Sequence, residues 1–173
     1  TWYSTGGGFD YTWSPDGKWF TLEFTGNKHD PYSDIGLVSA EGGKDIINLT
    51  NSGYMSGYPR FALDGNAILF TTERYGMRAH ASWGSLNDVM LVFMNQDAYD
   101  KFRLSKEDYE LQKELEKEQK NTTEAKKNDK KKGDNKEKSE EKKEEKVKDI
   151  VVELNNIEDR IVRLTPNSSD LGS

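Results

Sequence analysis

His29 and His80 are the two imidazoles available for base or metal chemistry in this chain, which has no cysteine. A Ser-His-acid arrangement needs three groups to meet in space, and no spacing here joins a serine and an acid to either histidine. No catalytic residue is therefore expected. His29-Asp30-Pro31 reads as a surface loop. Arg74, Arg78, His80 and Trp83 fall together within residues 74–87, a mixture suited to gripping a carboxylate and stacking on a peptide. These four are the candidate site for contact with a peptide or another domain. The structural alternative is that Trp83 packs on a sheet and the arginines pair with local acids. Asp16, Asp30, Asp34 and Asp64 form no Asp-x-Asp-x-Asp-Gly loop, and a thiolate zinc site is impossible, so neither metal nor cofactor is expected. Gly6-Gly7-Gly8 lacks a Gly-Lys-Ser/Thr ending, which argues against a phosphate loop.

An internal repeat supplies the elements that must position the candidates. Trp13-Ser14-Pro15-Asp16-Gly17-Lys18-Trp19-Phe20-Thr21-Leu22 aligns with Phe61-Ala62-Leu63-Asp64-Gly65-Asn66-Ala67-Ile68-Leu69-Phe70. In each copy an aromatic ends one apolar stretch, Asp-Gly turns the chain, and a second stretch follows. Pro15 presets φ for a tight turn, Asp16 can bond its own backbone, and Gly17 supplies positive φ, so each copy predicts a β-hairpin. Third strands follow at Ser33–Val38 and Asn87–Val92, and Asp45–Thr50 reads as a fourth. Four short antiparallel strands in about 45 residues match one propeller blade. The first blade spans residues 1–56 and the second 57–173. Alternation places Trp13, Phe20, Leu22 and Phe24 on one face with Trp19 on the other, as core between stacked blades.

The second blade carries an insertion. Residues 96–120 have helical spacing, with Ser105 as N-cap, Asp108 three residues on, and Tyr109, Leu111 and Leu115 as an apolar stripe. Residues 121–148 hold eleven Lys, eight acids and no aromatic, a composition that cannot bury enough surface to fold and so predicts disorder. Strand character resumes over residues 149–173, at Asp149–Leu154 and at Arg160–Thr165, so the insertion lies between the third and fourth strands. The fold expected is mainly β: about two antiparallel propeller-type blades, an incomplete propeller, with a helical and disordered charged insertion. Unclosed blades expose sheet edges, which predicts self-association through them or their cover by the insertion.

The chain has 173 residues, 32% of them charged, and a net charge of −6, with mean hydropathy −0.94. The Lys-rich tract is itself +3, leaving −9 on the rest, a poor surface for nucleic acid. No run of eighteen apolar residues and no basic-plus-apolar leader is present, so neither a membrane span nor a signal peptide is expected.

Residues 13–50, with aromatic-Ser-Pro-Asp-Gly-Lys, then Asp34-Ile35-Gly36-Leu37-Val38-Ser39-Ala40-Glu41-Gly42-Gly43 and Asn48-Leu49-Thr50, resemble the propeller repeats of TolB-type proteins and the tricorn proteases. A more specific resemblance is to the bacterial tricorn-like serine peptidases. It rests on Glu73-Arg74-Tyr75-Gly76-Met77-Arg78, Ser82-Trp83-Gly84, Asp88–Gln96, Leu104-Ser105-Lys106-Glu107, the Lys/Glu-rich insertion and Ile157–Thr165.

That resemblance implies a propeller placed ahead of a PDZ module and a serine-peptidase domain, screening or channelling peptides. No position matches the family's motif around its nucleophilic serine or its histidine, so the implied role is non-catalytic: substrate gating or domain scaffolding. The implied partners are a peptide substrate and the remaining propeller, PDZ and peptidase domains, in the periplasm; archaeal relatives point instead to the cytoplasm. The competing reading is a TolB-like protein-interaction propeller with no peptidase attached.

Overall fold

A computed structural model describes residues 10–26, 32–43, 45–78, 84–128 and 148–171. These fall into two units: residues 100–146 form one, and the rest form the other. The larger unit is mainly β, two four-stranded antiparallel sheets in meander order. The first sheet comprises β1 (Tyr11–Trp13), β2 (Trp19–Phe24), β3 (Asp34–Ser39) and β4 (Ile47–Asn48). The second comprises β5 (Ser56–Ala62), β6 (Ala67–Thr72), β7 (Asp88–Phe93) and β8 (Ile161–Arg163).

The Asp-Gly turns close both hairpins by different routes. In the first, Gly17 adopts φ +69° and donates to the Ser14 carbonyl at 3.0 Å. The Ser14 hydroxyl accepts Trp19 N–H at 2.9 Å and donates to Asp16 at 2.6 Å. In the second, Leu63, Asp64 and Gly65 all have positive φ, and Asn66 N–H returns to the Leu63 carbonyl at 3.0 Å. Three left-handed residues are needed because Ala62 pairs directly with Ala67, and Leu63 takes that conformation despite its branched side chain.

Both sheets contribute to one core. Ile35, Leu37 and Leu49 of the first meet Ile68, Phe70, Met90 and Val92 of the second, with Trp19, Ile47, Phe61 and Ile161 packed around them. The register places Trp19, Thr21, Leu37 and Ile47 on this shared side. Trp13 pairs with Phe20 and Tyr11 with Leu22 on the opposite face. The alternation is therefore as the sequence predicts, yet only the Trp19 face is core between the sheets. Tyr11 and Trp13 are 52% and 51% exposed, because within the described residues the second sheet covers the other side.

Several expected boundaries differ. The fourth strand of the first sheet shrinks to Ile47–Asn48, since the chain turns at Leu49 to bury that side chain. Among the described residues Asp149–Leu154 forms no ladder; side-chain contacts and a backbone bond from Glu153 N–H to the Met94 carbonyl hold it instead. Ile150 N–H donates to Asp16 at 2.8 Å, and Lys18 reaches Asp149 at 2.6 Å. The returning chain is thus tied to the first hairpin turn.

Two helices occupy the insertion among the described residues: α1 (Gln96–Arg103) and α2 (Lys106–Asn128). Asn95 caps α1 by accepting Ala98 N–H at 2.8 Å. Ser105 caps α2 by accepting Asp108 N–H at 3.1 Å, and its hydroxyl donates to the Asp108 carboxylate. The second helix continues through Asn128, eight residues into the tract read as disordered. Ala125 and the Lys and Glu residues near it are good helix formers, and elongating a started helix costs less than nucleating one. The remaining tract, 129–147, lies outside the described residues.

Candidate functional site

The candidate loop starts from a buried acid. Glu73, directly after β6, accepts the Ser85 hydroxyl at 2.7 Å, Met55 N–H at 3.4 Å and Arg78 at 3.4 Å. The two arms of the loop then run antiparallel: Leu86 N–H donates to the Met77 carbonyl at 3.0 Å, and Arg78 bridges Ser85. Gly76 permits this closeness, because any Cβ there would overlap the Leu86 carbonyl. The sequence predicts Arg74, Arg78, His80 and Trp83 as one contact site. His80 and Trp83, with His29, lie outside the described residues, and the two arginines take separate tasks.

Arg78 is paired within the protein, its charge met by Glu73. Arg74 is exposed, and no carboxylate of the described residues lies within ion-pair distance of it. Its guanidinium sits 6.0 Å from the Tyr54 ring centroid and 5.5 Å from that of Tyr75. Arg163 approaches the same Tyr75 ring at 5.2 Å. Cation–π contacts of this kind orient a guanidinium while leaving its donors open.

Arg74 and Tyr54 border an open cleft of about 500 Å³ between the β4 end of the first sheet and the turn Leu154–Glu158. Ile47, Leu49, Leu154 and Ile157 give it an apolar floor; Thr50, Asn51, Ser52 and Glu158 give it a polar rim. Such a cleft can seat an extended chain with an apolar side chain inward and a carboxylate on Arg74. Tyr54 and Glu158 carry no spacing signal in the sequence; tertiary packing brings them to the cleft that Arg74 borders, whereas Tyr75 is its neighbour in the chain.

Buried acids at equivalent repeat positions latch both sheets, and the first of them holds the Asn48–Ser52 wall of the cleft. Asp34 accepts Asn48 at 2.9 Å, the Thr50 hydroxyl at 2.7 Å and Ser52 N–H at 2.9 Å. Asp88 accepts Arg163 at 2.8 Å, Thr165 at 2.7 Å and Ser168 at 2.8 Å. Each latch fastens the chain leaving the fourth strand to the start of the third. Burial pushes the Asp88 carboxyl up, but hydrogen bonds from Thr165, Ser168 and Arg163, with the Arg163 charge, outweigh it and leave the carboxyl below its ordinary range. The Asp16 carboxyl is likewise lowered: burial pushes it up, and hydrogen bonds from Ser14, Ile150 and Lys18 outweigh that.

No group of three His, Cys, Asp or Glu side chains among the described residues could hold a metal ion, and no described helix is long and apolar enough to cross a membrane. Compared with known proteins, the chain matches no family model, no curated protein and no solved structure.

Proposed function

We propose that this chain is a non-catalytic part of a β-propeller in a tricorn-like serine peptidase, where it gates or positions a peptide substrate. The observation that carries the reading is the repeated blade, four antiparallel strands closed by an acid-threonine latch, Asp34 to Thr50 and Asp88 to Thr165. Of the residues that carry its resemblance to that family, Arg74, Ile157 and Glu158 line the cleft. In this reading Arg74 takes a carboxylate of the passing peptide, and Tyr54 and the apolar floor hold the neighbouring side chain. The PDZ and peptidase domains of the parent protein complete the machine, in the periplasm.

Fluorescence anisotropy with a labelled, unstructured acidic peptide tests this proposal. The expected result is saturable binding, weakened at least fivefold by Arg74→Ala and little changed by Arg78→Ala, since Arg78 is paired with Glu73. Absence of binding to the unaltered chain would overturn the peptide role. Cleavage of the peptide, lost on His29→Ala or His80→Ala, would overturn the non-catalytic one.

A further inference from the structure

The cleft beside Arg74 carries one charge of each sign. Among the described residues that line it, Arg74 is the one cation and Glu158 the one acid. Both are exposed, and neither forms an ion pair with the other or with any further described residue. The acids nearby are occupied within the protein. Asp34 accepts the Thr50 hydroxyl and Ser52 N–H, and Glu73 accepts Ser85 and Arg78.

The two charges stand on fixed supports at different walls. Arg74 is oriented by the rings of Tyr54 and Tyr75. Glu158 lies in the short turn Ile157–Arg160, whose first and last residues are both buried. Asp159 N–H donates to the Asn156 carbonyl at 3.1 Å, and the Arg160 guanidinium donates to the Asn155 carbonyl at 2.9 Å. The backbone beneath Glu158 therefore has little freedom left to lose on binding.

We infer that the cleft selects a peptide segment in which one apolar residue is flanked by an acid and a base, the acid meeting Arg74 and the base meeting Glu158. An extended chain points alternate side chains to opposite sides. One apolar side chain on the floor of Ile47, Leu49, Leu154 and Ile157 thus leaves its two neighbours directed at the rim, where both charges are exposed. A ligand carrying acids alone satisfies Arg74 but is repelled by Glu158, so charge complementarity favours the mixed segment. Glu158 is then a specificity-determining residue of the site, and the inference rests on the peptide reading of the cleft.

Fluorescence anisotropy with dye-labelled, end-blocked peptides tests the inference. Cores of Glu-Leu-Lys and Lys-Leu-Glu cover the two chain directions, and each is compared with an analogue carrying Gln in place of Lys. At low salt the unaltered chain is expected to bind the better Lys peptide at least threefold more tightly than its Gln analogue, a margin that shrinks as salt screens the exposed pair. Glu158→Gln is expected to erase the margin and Glu158→Lys to reverse it. Arg74→Ala is expected to weaken both peptides and leave the margin in place. Glu158 is exposed, so its replacement opens no cavity in the core, and thermal melts of the variants check that the fold is kept. Equal or weaker binding of the Lys peptides by the unaltered chain, or a margin that survives in Glu158→Gln, overturns this inference and leaves the peptide role standing. Binding of none of the four peptides removes the peptide role itself, and this inference with it.

Discussion

The Asp88 carboxylate accepts the Thr165 hydroxyl at 2.7 Å across 77 positions of sequence, joining the two sides of the insertion. Asp88 is fully buried and also holds Arg163 and Ser168. Replacing Thr165 by Val removes one neutral donor to a charged acceptor and is expected to cost about 1.5–3 kcal/mol. Asp88→Ala strands the Arg163 guanidinium as well and should cost more. Urea unfolding of the two variants checks the order, and an Asp88→Ala loss below that of Thr165→Val would contradict it.

The lowered Asp88 and Asp16 carboxyls give stability a definite sign with pH. A carboxyl held below its unfolded value of about 3.9 binds fewer protons in the native state, so stability rises with pH through that window. The contribution is present above about pH 4 and lost as pH falls through the folded values. Melting temperatures measured from about pH 6 down to about pH 2.5 should fall, and the fall should be shallower in Asp88→Asn, which has no proton to take up.

Gly65 joins the second hairpin turn to the returning chain. Its φ of +88° disfavours any L side chain, and a Cβ would overlap the Ile150 side chain, with Pro15 close behind. Gly65→Ala is therefore expected to destabilise by about 2 kcal/mol or more. The double variant with Ile150→Ala relieves the overlap but not the backbone strain, so its loss should be smaller than the sum of the two single losses. Thermal melts of the three variants read this directly, and strictly additive losses would contradict it.

Arg160 is 3% exposed, and its guanidinium donates to three carbonyls, those of Phe93, Asn155 and Glu153. This fork fixes the turn that carries Leu154 and Ile157 into the cleft. Arg160→Ala leaves those carbonyls unmet and is expected to cost about 3 kcal/mol, while Arg160→Lys, a single-point donor, recovers only part. Equal stability of the Ala and Lys variants in urea unfolding would remove the fork from the account.

Some of this is legible in the sequence alone. The Asp16-Gly17 and Asp64-Gly65 pairs announce turns because few residues tolerate positive φ, and the 48-residue repeat announces two similar hairpins around them. Arg74 and Arg78 stood out as loop cations. Their division of labour did not, because it depends on which of them Glu73 reaches, and Glu73 is buried only once Ser85 and Met55 fold over it.

The sequence by itself determined the two hairpins, their turns and the place where the insertion interrupts the second sheet, because these follow from local dihedral preference and a side-chain alternation of two. Tertiary structure alone decided which face of each strand is core. The Trp13 and Trp19 faces are both apolar, and alternation separates them without ranking them. Packing of the second sheet made one of them interior and left the other half exposed. The cleft beside Arg74 belongs to the same level: its walls, Ile47–Tyr54 and Leu154–Glu158, come from segments about a hundred residues apart, which meet only because the sheets stack.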